Sequence, residues 1–138
     1  ITLRKYEKPG KLKGRDLFKK ICLSLGLLQP GDSRDVVVDI LQAITESKRP
    51  LTMQAIEKNV TENRKKMNLP LVGIAQSNIT RQVRRLKQLF LVEYVAGKYR
   101  INENDTLSNI FEESIKKYYI SSITERIGEY LSKLDKKS

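Results

Sequence analysis

The stretch SNITRQVRRLKQLFLVE, residues 77–93, is basic on one side of a helical pattern and apolar on the other. At about 100° per residue, Ile79, Val83, Leu86 and Phe90 fall within one narrow sector. Arg81, Arg84, Arg85 and Gln88 lie opposite, and Asn78 and Thr80 flank them. The pattern predicts a helix near 78–90, capped by Ser77, with an anchored stripe and an outward guanidinium face. Such a face serves either solubility or contact with phosphates, and the surrounding sequence decides between the two.

Downstream, LVEYVAGKYRI (91–101) places two β-rich runs around Ala96-Gly97. A two-residue connection with Gly predicts a hairpin pairing Val95 with Lys98, Tyr94 with Tyr99, Glu93 with Arg100 and Val92 with Ile101. Alternation gives an apolar face of Val92, Tyr94, Tyr99 and Ile101 and an outer face of Glu93, Val95, Lys98 and Arg100. After INEND (101–105), residues 105–134 return to helix. Ile120, Ile123, Ile127, Tyr130 and Leu134 repeat at spacings of three and four, as in a coiled-coil seam. Leu107, Phe111, Ile115 and Tyr118 follow a different phase, and the capping-box spacing of Ser122 and Glu125 suggests a break near Ser121. The seam pairs with a second copy or packs back on residues 15–28; Gly128 within it suits a close helix approach.

Upstream, NLPLVGIAQ (68–76) interrupts helical periodicity with Pro70 and Gly73, and its apolar loop either tucks into the core or offers a partner surface. Thr52 caps a helix over 53–67 with Ile56, Val60 and Met67 inward. Before it, Val37, Ile40, Leu41 and Ile44 line a helix over 34–47, stopped by SKRP, and Leu51 adds one strand residue. Asp32 or Ser33 caps that helix, and Asp35 in its first turn suits the dipole. Residues 15–28 form a short helix striped by Leu17, Ile21, Leu25 and Leu28, with Cys22 as a small buried hydrophobe. Residues 1–14 read as a mobile basic arm. Arg4, Lys5, Lys8, Lys11, Lys13 and the adjoining Arg15 either track phosphates or belong to a solvated tail.

Composition bounds the chemistry. The 138 residues include one Cys and no His, which removes Cys- and His-rich zinc sites and Ser-His or Cys-His nucleophile pairs. Sixteen acids leave paired-carboxylate chemistry formally open, but no stretch predicts a convergent pocket, so no enzyme, cofactor, metal or small-molecule ligand is expected. No apolar run reaches the roughly 18 residues of a membrane span. The net charge is +11: residues 1–33 contribute +5, residues 34–101 contribute +7 and residues 102–138 contribute −1. This segregation predicts a polyanion-facing body with a neutral appendage, placed in the cytoplasm on the nucleoid.

The order helix, single strand residue, helix, helix, hairpin over residues 34–101 resembles the winged-helix variant of helix-turn-helix domains. The resemblance implies a mainly α winged-helix fold with a small hairpin; with the flanking residues read above, an added N-terminal helix and a C-terminal helical appendage, the chain divides as an arm (1–14), a winged-helix domain with its preceding helix (15–101) and a C-terminal helix that is a candidate dimerisation element (102–138). It implies that helix 78–90 enters the major groove of double-stranded DNA and that wing 92–101 touches the backbone or minor groove. On that basis Asn78, Arg81 and Arg85 are candidates for base edges, Ser77, Thr80, Arg84, Lys98 and Arg100 for the backbone, and Gln88 for DNA contact on the same face. The implied function is a dimeric transcription regulator. The alternatives are a non-specific nucleic-acid or architectural protein, and a protein-interaction module in a larger assembly. The gap 68–76 is longer than in a tight helix-turn-helix, so the resemblance leaves the recognition helix's placement open by several residues.

Overall fold

A computed structural model describes residue 1 and residues 8–136. Arg4 and Lys5 of the expected arm lie outside these residues. The chain is mainly helical with one antiparallel hairpin: α1 Gly14–Ser24, α2 Val36–Glu46, α3 Met53–Lys66, α4 Gln76–Gln88, β1 Val92–Val95, β2 Lys98–Ile101, α5 Leu107–Ile110, a π-helical stretch Phe111–Ile120, and α6 Ser121–Asp135.

Helix α2 is the centre of the core. Val36, Val37, Val38, Ile40, Leu41 and Ile44 are all buried, because α1, α3, α4 and the hairpin surround it. Around it pack Ile56 and Val60 of α3 and Ile79, Val83 and Leu86 of α4. Thr52 caps α3 as expected, accepting from the Ala55 amide at 3.1 Å. Leu51 pairs with Tyr99 through amide–carbonyl bonds of 2.7 and 2.8 Å, tying the α2–α3 connection to β2. The hairpin has the predicted register throughout. Its apolar face is less buried than expected: Tyr94 is 53% exposed and rests on the Tyr99 ring, 4.7 Å away, because the hairpin tip overhangs the core.

Three helices end in the same way. Gly26 after α1, Asn68 after α3 and Phe90 after α4 have positive φ, and each helix closes with a pair of crossed amide–carbonyl bonds. For α4 these run from Phe90 N–H to Lys87 and from Leu91 N–H to Leu86. Thus α1 stops before the predicted Leu28. Phe90 is a terminating residue, half-buried and edge-on to Tyr118 and Tyr119, rather than the last turn of a helical stripe. At the α2 start, the N-cap is Asp35, not Asp32 or Ser33.

Two expectations for the C-terminal segment are corrected. The buried positions are Ile110 and Ile115, with Ile120 partly buried, whereas Phe111 and Tyr118 are exposed. A spacing of five suits π-helical i to i+5 geometry, which the α-helical period did not anticipate. The backbone also runs into α6 without a break: Ser121 has φ −61° and ψ −40°. Every residue of α6 is exposed; its start at Ile123 borders Leu25–Leu27 across a hollow, and the seam from Ile127 onward does not pack on residues 15–28. No other element among the described residues comes close to Gly128. Among the described residues, no helix is long and apolar enough to cross a membrane.

Arg15 is not part of a basic arm. It is buried in a network that no pattern predicted. Its Nε lies 3.0 Å from Asp39 Oδ1, and its Nη2 lies 3.0 Å from Asp35 Oδ2. The fully buried Arg64 of α3 reaches the same carboxylates at 2.9 and 2.8 Å, and its Nε donates to the Pro70 carbonyl at 2.7 Å. Asn63 adds a bond to Asp39 at 2.9 Å. These contacts join α1, α2, α3 and the loop leading to α4, and so set where α4 begins.

Candidate nucleic-acid interface

The outward face of α4 divides into a ridge and two flanks. Ile79, Val83 and Leu86 hold the inner side in the core. Ser77, Arg81, Arg84 and Gln88 are exposed and recur at spacings of four, three and four, so they form one continuous ridge. Eleven residues at 1.5 Å rise give it a length of roughly 16 Å. Arg84 has no hydrogen-bond or ion-pair partner among the described residues. Ser77 does not cap the helix: the N-cap is Ala75, without a side-chain bond, and Ser77 lies in the first turn.

One flank is internally bonded. Asn78 Nδ2 donates to the Gly73 carbonyl at 2.8 Å. Asn78 Oδ1 accepts from Arg81 Nη2 at 2.8 Å and from Gln82 Nε2 at 3.3 Å. Gln82 Oε1 accepts from Arg85 Nη1 at 2.8 Å, and Arg85 Nη2 reaches the Gly26 carbonyl at 3.4 Å. This ladder runs from the α3–α4 loop to the α1–α2 connection. It orients Arg81 but occupies Asn78 and Arg85, two of the residues expected at base edges. Gly73 is required at its foot. Its φ is +79°, and a Cβ there would come within 3.0 Å of Asn78 Nδ2 and 3.3 Å of Val36 Cγ2.

The other flank faces the hairpin. Thr80 is half-buried, and Lys87 Nζ lies 5.9 Å from the centroid of the Tyr94 ring. At the hairpin tip Lys98 is exposed. Arg100 is not free: its Nε meets Glu93 Oε2 at 2.6 Å. The Glu103 amide and then Arg100 hold the Glu93 carboxyl below the usual carboxylate range, so the pair stays ionised and contributes no net charge.

The structure therefore brings Ser77, Arg81, Arg84 and Gln88 onto one ridge and sets Asn78 and Arg85 in a supporting ladder; of the predicted wing contacts, Lys98 has no ion-pair partner among the described residues. It adds one residue that the pattern missed. Arg34, in the connection before α2, borders the same flank as Arg81 and Arg85. Nothing local marks it, because its nearness to α4 is a consequence of tertiary packing across more than forty residues. Comparison with protein-family models, with curated proteins and with solved structures gave no match.

Proposed function

We propose that this chain is a winged-helix protein that binds double-stranded DNA, most simply as a dimeric transcription regulator. The observation that carries the reading is the exposed Ser77–Arg81–Arg84–Gln88 ridge, set directly opposite an anchored apolar stripe. A major groove about 12 Å wide admits such a helix, and Arg forks match guanine O6 and N7. In this reading Arg81 and Arg84 reach base edges, Gln88 reads or supports at the far end, and Ser77 and Thr80 meet phosphates. Asn78 and Arg85 act as positioning residues, through Arg81 and through the helix's seat. Lys98 touches the backbone from the wing. The unpartnered α6 face supports a dimer with a second copy, which would present two α4 helices about 34 Å apart on an inverted repeat.

Loss of the ridge guanidiniums distinguishes this from a solvated basic face. Arg81→Ala and Arg84→Ala are each expected to weaken binding to a selected duplex by about 1–3 kcal/mol, with relaxed preference at one base position. Lys98→Ala is expected to weaken all duplexes alike and reduce the salt slope by about one. The internal engagement of Asn78 and Arg85 favours a second reading, non-specific duplex binding, because fewer groups remain to read bases. Equal affinity for unrelated duplexes at one salt concentration selects that second reading. No duplex binding at all at low salt rejects both.

A further inference from the structure

Beside the internally bonded flank of α4 lies a hollow of about 450 Å³, bounded by the α1–α2 connection and the α3–α4 loop. Its lining residues include three arginines, Arg34, Arg81 and Arg85, together with Asn78 and Gln82. The wall has one carboxylate, Asp32, whose Oδ1 accepts the Arg34 backbone N–H at 2.9 Å. Arg81 and Arg85 donate only to neutral oxygens, those of Asn78, Gln82 and Gly26. The Arg34 side chain has no partner among the described residues. The wall thus has an excess of positive charge that the described residues leave unneutralised.

Elsewhere the same chain does the opposite. Arg15 and Arg64 are each held between two carboxylates. The three guanidiniums of the hollow come from two elements: Arg81 and Arg85 lie a turn apart on α4, and Arg34 enters from the connection before α2. Donors offered by two separate elements suit a tetrahedral oxyanion better than a planar carboxylate, and guanidinium forks match phosphate oxygens.

We propose that this hollow is a binding site for a phosphate group, held by Arg34, Arg81 and Arg85. The phosphate belongs either to a free ligand or to the backbone of a duplex lying along α4; both present the same group. Arg81 stands on the exposed ridge as well as in the wall. A free phosphate seated here draws Arg81 away from the ridge and competes with duplex binding.

The site is tested on the full chain with inorganic phosphate alone, so the first arm does not depend on the DNA reading. Phosphate is titrated against sodium chloride at constant ionic strength while backbone amide shifts are followed. Saturable shifts centred on Gly73, Asn78 and Arg81 are expected, with affinity about tenfold weaker in Arg34→Ala, the equivalent of one lost charged hydrogen bond. Arg34 is exposed and its side chain has no hydrogen bond or ion pair among the described residues, so that variant keeps its fold, which circular dichroism checks. The second arm titrates a duplex. If phosphate alone does not saturate, yet Arg34→Ala weakens duplex binding and lowers its salt slope by about one, the phosphate comes from the backbone. Phosphate binding that Arg34→Ala leaves unchanged overturns the site. So does a wild-type response identical to chloride combined with an unaltered duplex curve. Saturable, Arg34-dependent phosphate binding without any duplex binding sinks the DNA reading and keeps the site.

Discussion

Asp39 interrupts the apolar run VVVDIL, and its position explains why one charged residue belongs there. Its carboxylate receives Arg15, Asn63 and Arg64 at 2.8–3.2 Å. Removing it leaves Arg64 fully buried beside Asp35 alone, so Asp39→Ala is expected to cost about 3–5 kcal/mol in urea denaturation. A charge inside an apolar run was visible in the sequence. Its partners were not, because they lie 24 and 25 residues away on two other helices. Asp35 gives the network a pH dependence. Burial pushes its carboxyl up, but hydrogen bonds from Arg64 and Arg15 and their charges outweigh this, so its folded pKa lies below the ordinary carboxylate value. The unfolded state therefore binds the proton more readily. The contribution is complete above the unfolded value, about 4, and is lost as pH falls through the folded one. Urea midpoints are expected to stay level from pH 7 to 5 and to fall below about pH 4, a drop that Asp35→Asn would flatten. Cys22 behaves as the small hydrophobe its neighbours suggested. Burial pushes its thiol up to about 12, and alkylation is expected only after unfolding.

Elements were legible where a local rule acts alone. The hairpin register followed from a two-residue connection, and Thr52 followed from its place before an amphipathic helix. Helix ends were less legible. Gly26 and Asn68 are residue types that accept positive φ, yet Phe90 takes φ +66° at the same position. What offsets the strain there is tertiary: the ring sits edge-on to Tyr118 and Tyr119, at 5.9 and 6.1 Å. The phase of residues 107–120 was missed for a similar reason, since a spacing of five becomes meaningful only once the helix is known to widen. The hairpin offers a direct test of local strain. Ala96 has φ +52° and Gly97 φ +79°, the pattern of a type I′ turn, in which Asn-Gly is preferred. Ala96 is exposed, so its replacement disturbs no packing. Ala96→Asn is expected to raise stability by up to about 1 kcal/mol, read as a higher thermal midpoint. An unchanged or lower midpoint removes the claim that this position is strained.

At the level of the whole molecule, the charge count overstated the surface available to a polyanion, because Arg15, Arg64 and Arg100 are neutralised within the fold. Arg81, Arg84, Arg85 and Lys87 remain on α4 with Arg34 beside it, while α6 projects with a different character. Its exposed Ile127, Tyr130, Leu131 and Leu134, with the partly covered Ile123 at its start, make an apolar face that the described residues leave open. A helix of 15 residues is marginal by itself, so pairing with a second copy would stabilise it as well as join two α4 ridges. Ile127 lies at the middle of this face and is half exposed in the single chain. Ile127→Glu therefore removes nothing from the core, but would place two carboxylates opposite each other in a pair. The proposed dimer predicts a solution mass of twice 15.9 kDa for the natural chain and 15.9 kDa for the variant. Linked half-sites gain from effective concentration, so the variant is expected to bind an inverted-repeat duplex about 10²-fold or more weakly while its affinity for a single half-site stays the same. An equal loss on both duplexes would instead mean that α6 acts through α4 itself. A natural chain of single mass that still prefers the repeat would rule out the pairing role of this helix.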